Sequence, residues 1–278
     1  MKLNMNSLIK KILGKRTILL GKRMINKISR ISNGIGSKKK CYICNRTFFH
    51  FTKFKGGSKR KSEFHKRLDI VGSDVDNFGC MYCGSHDRER HLYMYFDKLN
   101  IWQKMKVAKI LYFAPERNFP AKISEQSPLE CIKADLHPKT EAVKKIDATK
   151  VPFSDEIFDF VIANHILEHI PVYSKALSEF YRVLKPGGVA ILQTPYSKIL
   201  KKKFEDENLD TDELRLFFYG QEDHVRIFSE YQFFESIENA GFNLQVKKHV
   251  DLFDDHIAYI YGVNKEENLI LGIKPSGK

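Results

Sequence analysis

From residue 108 onward, short apolar runs alternate with stretches whose apolar residues recur at helical spacing. Lys109–Phe113 (KILYF), 131–134, Phe158–Ala163 (FDFVIA) and 189–193 (VAILQ) read as buried strands of a parallel sheet. Between the last two, Val172, Ala176, Leu177, Phe180, Val183 and Leu184 share one helical face, with Pro171 suited to the first turn. Lys185-Pro186-Gly187-Gly188 ends that helix in a turn that needs positive φ at glycine. A second helix is predicted from Ser229, with Gln232 completing a capping box, to Gly241. Residues 244–250 and 257–263 read as a closing antiparallel pair. This order predicts an α/β fold with a doubly wound sheet, whose ligand belongs at the carboxyl ends of the strands.

Upstream the pattern changes. Met5, Leu8, Ile9, Ile12 and Leu13, then Met24, Ile25, Ile28 and Ile31, recur at helical spacing opposite lysines and arginines. Residues 1–40 hold twelve Lys or Arg and no acid, while the other 238 residues carry 35 basic against 34 acidic side chains. The formal charge of +13 therefore belongs to a basic amphipathic leader and not to the body. Such a leader fits reversible docking on an anionic membrane, and equally an extension that packs on the body or stays disordered. No apolar run reaches the ~18–20 residues of a membrane span, and the expected location is the cytoplasm, with peripheral docking on the inner membrane face as an option.

Cys41-x-x-Cys44 and Cys80-x-x-Cys83 stand 35 residues apart. A two-residue gap lets both thiolates of a knuckle face one metal, and two knuckles complete a tetrahedral shell. The expectation is a structural Zn2+ in a small zinc-ribbon-like module over residues 41–106, with a long loop or hairpin between the knuckles. The lone Cys131 falls on a core strand, where it reads as a small buried hydrophobe. Ser85 is the expected N-cap of the helix that follows, with Asp87 and Glu89 in its first turn; Arg88, Arg90 and His91 read as a solvated face or an interface ion pair, with phosphate or substrate binding as the alternative.

Four phrases in order, Asp147-Ala-Thr-Lys-Val-Pro-Phe153, Phe158-Asp-Phe-Val161, Asn164-His-Ile-Leu-Glu-His-Ile170 and Arg182-Val-Leu-Lys-Pro-Gly-Gly188, resemble class I S-adenosylmethionine-dependent methyltransferases of the small-molecule branch. Two CxxC pairs before a Gly-Ser-x-x-Arg-x-Arg-His helix resemble a zinc-headed bacterial subgroup linked to surface-glycan modification. The first resemblance implies a Rossmann-like domain over 107–278. It also implies a cofactor site in which Ala114, Pro115 and Glu116 pass under the methionine part, Asp135 grips the ribose, and Asp147 with the Ala148 backbone holds the adenine. Asn164 and His165 would flank the methyl-transfer path. The chain departs from the pattern in having no glycine after the first strand and Tyr112 in place of the usual acid within it.

Methyl transfer from a sulfonium asks the protein to position a nucleophile, exclude water and accept a proton. Histidine suits that last task, and His165, His169 and His224 are the candidates, His224 standing first as an acceptor-site residue and Arg226 available for an anionic acceptor. The reading is thus an enzyme acting on a small-molecule or glycan acceptor. Two others stand beside it: an rRNA or tRNA methyltransferase gripping nucleic acid through the zinc module, and a non-catalytic scaffold. The body's near-neutral charge speaks against an extended phosphate footprint, and the glycine-free loop is the scaffold's best support.

Overall fold

The structure, a computed structural model, describes residues 39–277. The helices and membrane docking expected of the leader lie outside them, apart from Lys39 and Lys40. In chain order, its elements begin with β1 (Lys39–Lys40), β2 (Thr47–Phe48), α1 (Glu63–Lys66), β3 (Ile70–Val71), α2 (Asp87–Lys98) and α3 (Ile101–Lys104). Next come β4 (Lys109–Phe113), α4 (Phe119–Glu125), β5 (Glu130–Asp135), β6 (Lys144–Lys145), β7 (Phe158–Ala163), α5 (Tyr173–Val183), β8 (Leu184–Ile191) and β9 (Tyr196–Ser197). The last part holds α6 (Asp212–Tyr219), β10 (Phe228–Ser229), α7 (Glu230–Asn239), β11 (Asn243–Lys247), α8 (His249–Leu252), α9 (Asp255–Tyr261) and β12 (Leu269–Ile273).

Seven strands form the main sheet in the order β11-β12-β8-β7-β4-β5-β6. The strands from β8 to β6 run parallel, and β12 is antiparallel to both β8 and β11. This is the expected doubly wound, Rossmann-like sheet with a terminal antiparallel pair. The winding reverses between β4 and β7, so the crevice at their carboxyl ends is where a ligand belongs.

Alternation along the central strands gives the sheet two covered faces. Leu111, Phe113, Val161 and Ala163 pack with Leu177, Phe180 and Val183 of α5. Ile110, Tyr112, Phe160 and Ile162 point the other way, onto Leu92, Tyr95 and Phe96 of α2, Trp102 of α3 and Phe119 and Ile123 of α4. The helix that leaves the second cysteine knuckle is thus one of the layers of the α/β fold. β3 also pairs with β9, within a three-stranded sheet that includes β10.

Several expectations are corrected. Residues 257–263 are helical, not a strand: Asp254 caps α9 by accepting from the His256 N–H, and Gly262 closes it at φ 59°. The strand that pairs with β11 is β12, further along the chain. Ser229 does stand at the N-cap of α7, but no side-chain cap bond forms, and Gln232 Oε1 accepts from the Lys203 N–H. Pro171 lies before α5, whose first residue is Tyr173. His86, not Ser85, is the N-cap of α2. The Ser85 hydroxyl lies instead 3.4 Å from Cys41 Sγ and 3.2 Å from Cys83 Sγ.

Candidate active site and metal centre

The two cysteine knuckles share one backbone design. The Asn45 N–H donates to the Cys41 carbonyl and the Gly84 N–H to that of Cys80, both at 2.9 Å. Asn45 and Gly84 both take left-handed φ, 57° and 72°, which curls each loop back toward its own sulfurs. No disulfide forms. Cys41 and Cys83 Sγ lie 3.7 Å apart, and Cys44 and Cys80 Sγ 3.8 Å apart. A tetrahedron of thiolates at the Zn–S distance has edges of about 3.8 Å, so the donor set fits a closed zinc shell.

Arg90 follows at once. Its guanidinium donates to the carbonyls of Asn77, Phe78, Ser85, Tyr261 and Gly262 and stacks 3.8 Å from the Phe51 ring centroid. It is neither solvated nor ion-paired, as its sequence reading had expected, but a buried clamp between the knuckles and the end of α9.

At the carboxyl edge of the sheet, Ala114 adopts φ 43°, the left-handed turn for which glycine is the ordinary choice. Its N–H donates to the Ala134 carbonyl, joining the ends of β4 and β5. The loop then folds Glu116 inward: its carboxylate accepts from the Tyr112 hydroxyl and from Asn164 Nδ2 at 3.3 Å. Burial pushes the Glu116 carboxyl up to about 7. Glu89 of α2 anchors the same loop by accepting from the backbone of Asn118 and Phe119 and from Asn118 Nδ2. This places a carboxylate at the N-terminus of α4, where the helix dipole favours it.

Asp135 ends β5, half-buried, with Oδ1 accepting from the His137 N–H. Asp147 is exposed in the next turn, with Oδ1 accepting from Thr149. The Ile146 N–H donates to the Asp135 carbonyl, so both turns sit on one edge with the small, buried Ala148 between them and the core. Asn164 and His165 complete the edge after β7. His165 is held at φ 52°, a strained conformation for so bulky a residue, by its N–H bond to the Gln193 carbonyl.

The His165 ring lies between two buried carboxylates, with Nδ1 3.6 Å from Glu168 and Nε2 3.4 Å from Glu267. Burial and Arg88 pull its pKa down, yet the two carboxylates together leave it raised. Despite their burial, both Glu168 and Glu267 are in turn held below the ordinary carboxylate range, chiefly by the histidines that face them. The two carboxylates thus favour the protonated form of the His165 ring. His224, 5% exposed, is pushed down to about 4 by burial and carries a lone pair at neutral pH. His169 donates through Nδ1 to the Asp223 carbonyl at 3.0 Å, and its ring stands edge-on to that of His224 at 4.7 Å.

His165, Glu168 and His224 open onto a cavity of about 740 Å3, lined also by Phe54, His65 and Arg88. Its roof is the stretch between the knuckles, which is neither a free loop nor a hairpin. Lys55 pairs with Glu222 at 2.7 Å, and the Ser62 hydroxyl donates to the Phe217 carbonyl, tying the roof to α6. Sequence reasoning missed this roof; the aromatic residues Phe54, Phe64 and Phe78 within a polar stretch were the signal. Arg226 is not free for an anionic acceptor. Its terminal nitrogens donate to the carbonyls of Leu167, Ile170 and Pro171 and to Glu205.

Residues 123–192 match the family model described as "Methyltransferase domain". That match runs from within α4 to just past β8, across the parallel centre of the Rossmann-like sheet. Sterol 24-C-methyltransferase of Candida albicans is 32% identical over 120 residues, 42% of this chain and 30% of that protein. Demethylmenaquinone methyltransferase of Lysinibacillus sphaericus is 37% identical over 68 residues, 24% of this chain and 29% of that protein. The chain thus spans under a third of the length of these curated relatives. A solved S-adenosylmethionine-dependent methyltransferase from Mesorhizobium loti overlaps 64% of this chain and 97% of its own, with a TM-score of 0.45 and 12% identity.

Proposed function

We propose that this chain transfers a methyl group from S-adenosylmethionine to a small-molecule or glycan acceptor held in the roofed cavity, with a structural Zn2+ on Cys41, Cys44, Cys80 and Cys83. The observation that carries the reading is adjacency. Glu116, within the loop expected to pass under the cofactor, accepts from Asn164, and the next residue, His165, lines the cavity. The residues present fit the cofactor: Asp135 and Asp147 each commit one oxygen to a local turn, leaving the other for a ribose hydroxyl and an adenine amino group. Bound there, the cofactor supplies an electrophilic methyl carbon. The chain's own groups orient the acceptor, shut out water and receive or relay its proton.

A half-enclosed cavity of this volume is the size of a small-molecule site. It suits a compact acceptor, or the end of a glycan, better than a nucleic-acid duplex. Calorimetry with S-adenosylmethionine tests the reading. We expect saturable binding by the wild type and a loss of at least tenfold in affinity for Asp135→Ala, about 1.4 kcal/mol or more. Equal affinity in the two proteins, or no heat in either, favours the scaffold.

A further inference from the structure

Beside His165 stand three side chains that the proposed cofactor site does not use. We infer that Glu168, His169 and His224 form a divalent transition-metal site in the wall of the cavity, separate from the cysteine centre, and that it takes an acceptor hydroxyl as a further ligand. The donor atoms of these three residues lie within 4.8 Å of one another. Both rings are oriented from behind. His169 Nδ1 donates to the Asp223 carbonyl, and the Tyr219 backbone is the hydrogen-bond partner of His224, whose Nε2, buried, has none. Each imidazole thus keeps its second nitrogen as a candidate donor within reach of the Glu168 carboxylate. Backbone carbonyls behind the rings, and a hydroxyl behind the carboxylate, are the usual outer supports of metal-binding side chains. Here Thr194 Oγ1 supplies the hydroxyl, donating to Glu168 Oε2 at 2.8 Å.

The backbone closes the arrangement. The Val225 N–H donates to the Glu168 carbonyl at 3.0 Å, holding the 224 loop against the turn after β7. Donors around a metal at about 2.1 Å stand about 3–3.5 Å apart, so binding draws these groups inward by about an ångström, within reach of side-chain rotation. Two imidazoles and one carboxylate suit Mn2+, Fe2+, Co2+ or Zn2+ and leave positions open. Glu168 and His224 both line the cavity, so the open positions face the acceptor.

The role of the cation rests on the methyl-transfer reading, though its binding does not. A hydroxyl held by the cation would lose its proton to bulk solvent at the cavity mouth. Its oxygen then bonds to the methyl carbon, and the carbon–sulfur bond breaks with its electron pair staying on sulfur. The balance is one methyl ether, one thioether and one released proton, with no change of oxidation state.

Mn2+ is the probe, because thiolates hold this hard cation poorly. Electron paramagnetic resonance of the full chain, its cysteines loaded with zinc, is expected to show one bound Mn2+. His224→Asn and Glu168→Gln are each expected to weaken it at least tenfold. S-adenosylmethionine calorimetry on the same samples reports whether the fold and the cofactor site persist. Absence of bound Mn2+ in the wild type overturns the site, as does equal affinity in His224→Asn with cofactor binding intact. Loss of cofactor binding in the wild type with Mn2+ retained overturns the enzyme reading and leaves the metal site standing.

Discussion

Ala114 and His165 carry left-handed backbone at the carboxyl ends of neighbouring strands, where the proposed nucleoside cofactor would approach the main chain closely. The missing glycine after β4 is thus a change of residue without a change of turn. The acid absent from β4 is matched by Glu116, whose carboxyl returns to the Tyr112 hydroxyl. That return was not legible, because it depends on where β7 places Asn164. Burial raises Glu116 to about 7, so it is neutral below that pH and an anion above it. In the proposed site a bound cofactor would bring its ammonium under this loop and favour the anion. We expect S-adenosylmethionine affinity to rise by about tenfold between pH 6 and 8 in the wild type. In Glu116→Gln, calorimetry should find that slope absent. The histidines were legible as a set but not in their roles: the flanking Glu168 and Glu267 favour a protonated His165, and Glu267 lies 102 residues away in sequence.

Among the elements, β4, β5, β7 and β8 were readable because each is a short apolar run bounded by polar turns. Helix α5 was readable because its apolar face repeats at 3.6 residues. The run 257–263 defeated the same reasoning. Ile, Tyr and Val are good strand formers, and seven apolar-rich residues do not declare their period. The punctuation told more than the run did: Asp254 in front and Gly262 behind are helix signals. Gly262 has a second constraint, since a Cβ there would overlap the Phe51 ring beside the first knuckle. Gly262→Ala is expected to lower unfolding free energy by about 2–4 kcal/mol through strain at positive φ and overpacking. Urea denaturation measures it, and a midpoint shift equivalent to under about 0.5 kcal/mol contradicts the contact.

On the scale of the whole molecule, the four-cysteine centre was legible from spacing alone, whereas its integration was not. Residues 87–104 cover one face of the main sheet, and the stretch between the knuckles roofs the cavity. Withdrawing the proposed zinc should therefore do more than unfold an appendage. Treatment with a strong chelator, or Cys83→Ser, is expected to lower the melting temperature by about 10 °C or more. It should also weaken S-adenosylmethionine binding, because Glu89 of α2 fixes the Asn118 end of the cofactor loop. Differential scanning fluorimetry and calorimetry on one preparation suffice; an unchanged cofactor affinity after zinc loss separates the two regions. No helix among the described residues is long and apolar enough to cross a membrane.

The Arg90 clamp has a consequence for biosynthesis. Two of the carbonyls it gathers, those of Tyr261 and Gly262, leave the ribosome about 170 residues after the guanidinium itself. Until then a cation bound for the interior waits without its partners, and the cysteine knuckles lack the backstop on which they settle. Translation must therefore run almost to the final strand before the first-made part of the described chain can lock, a delay in which a chaperone has surface to hold.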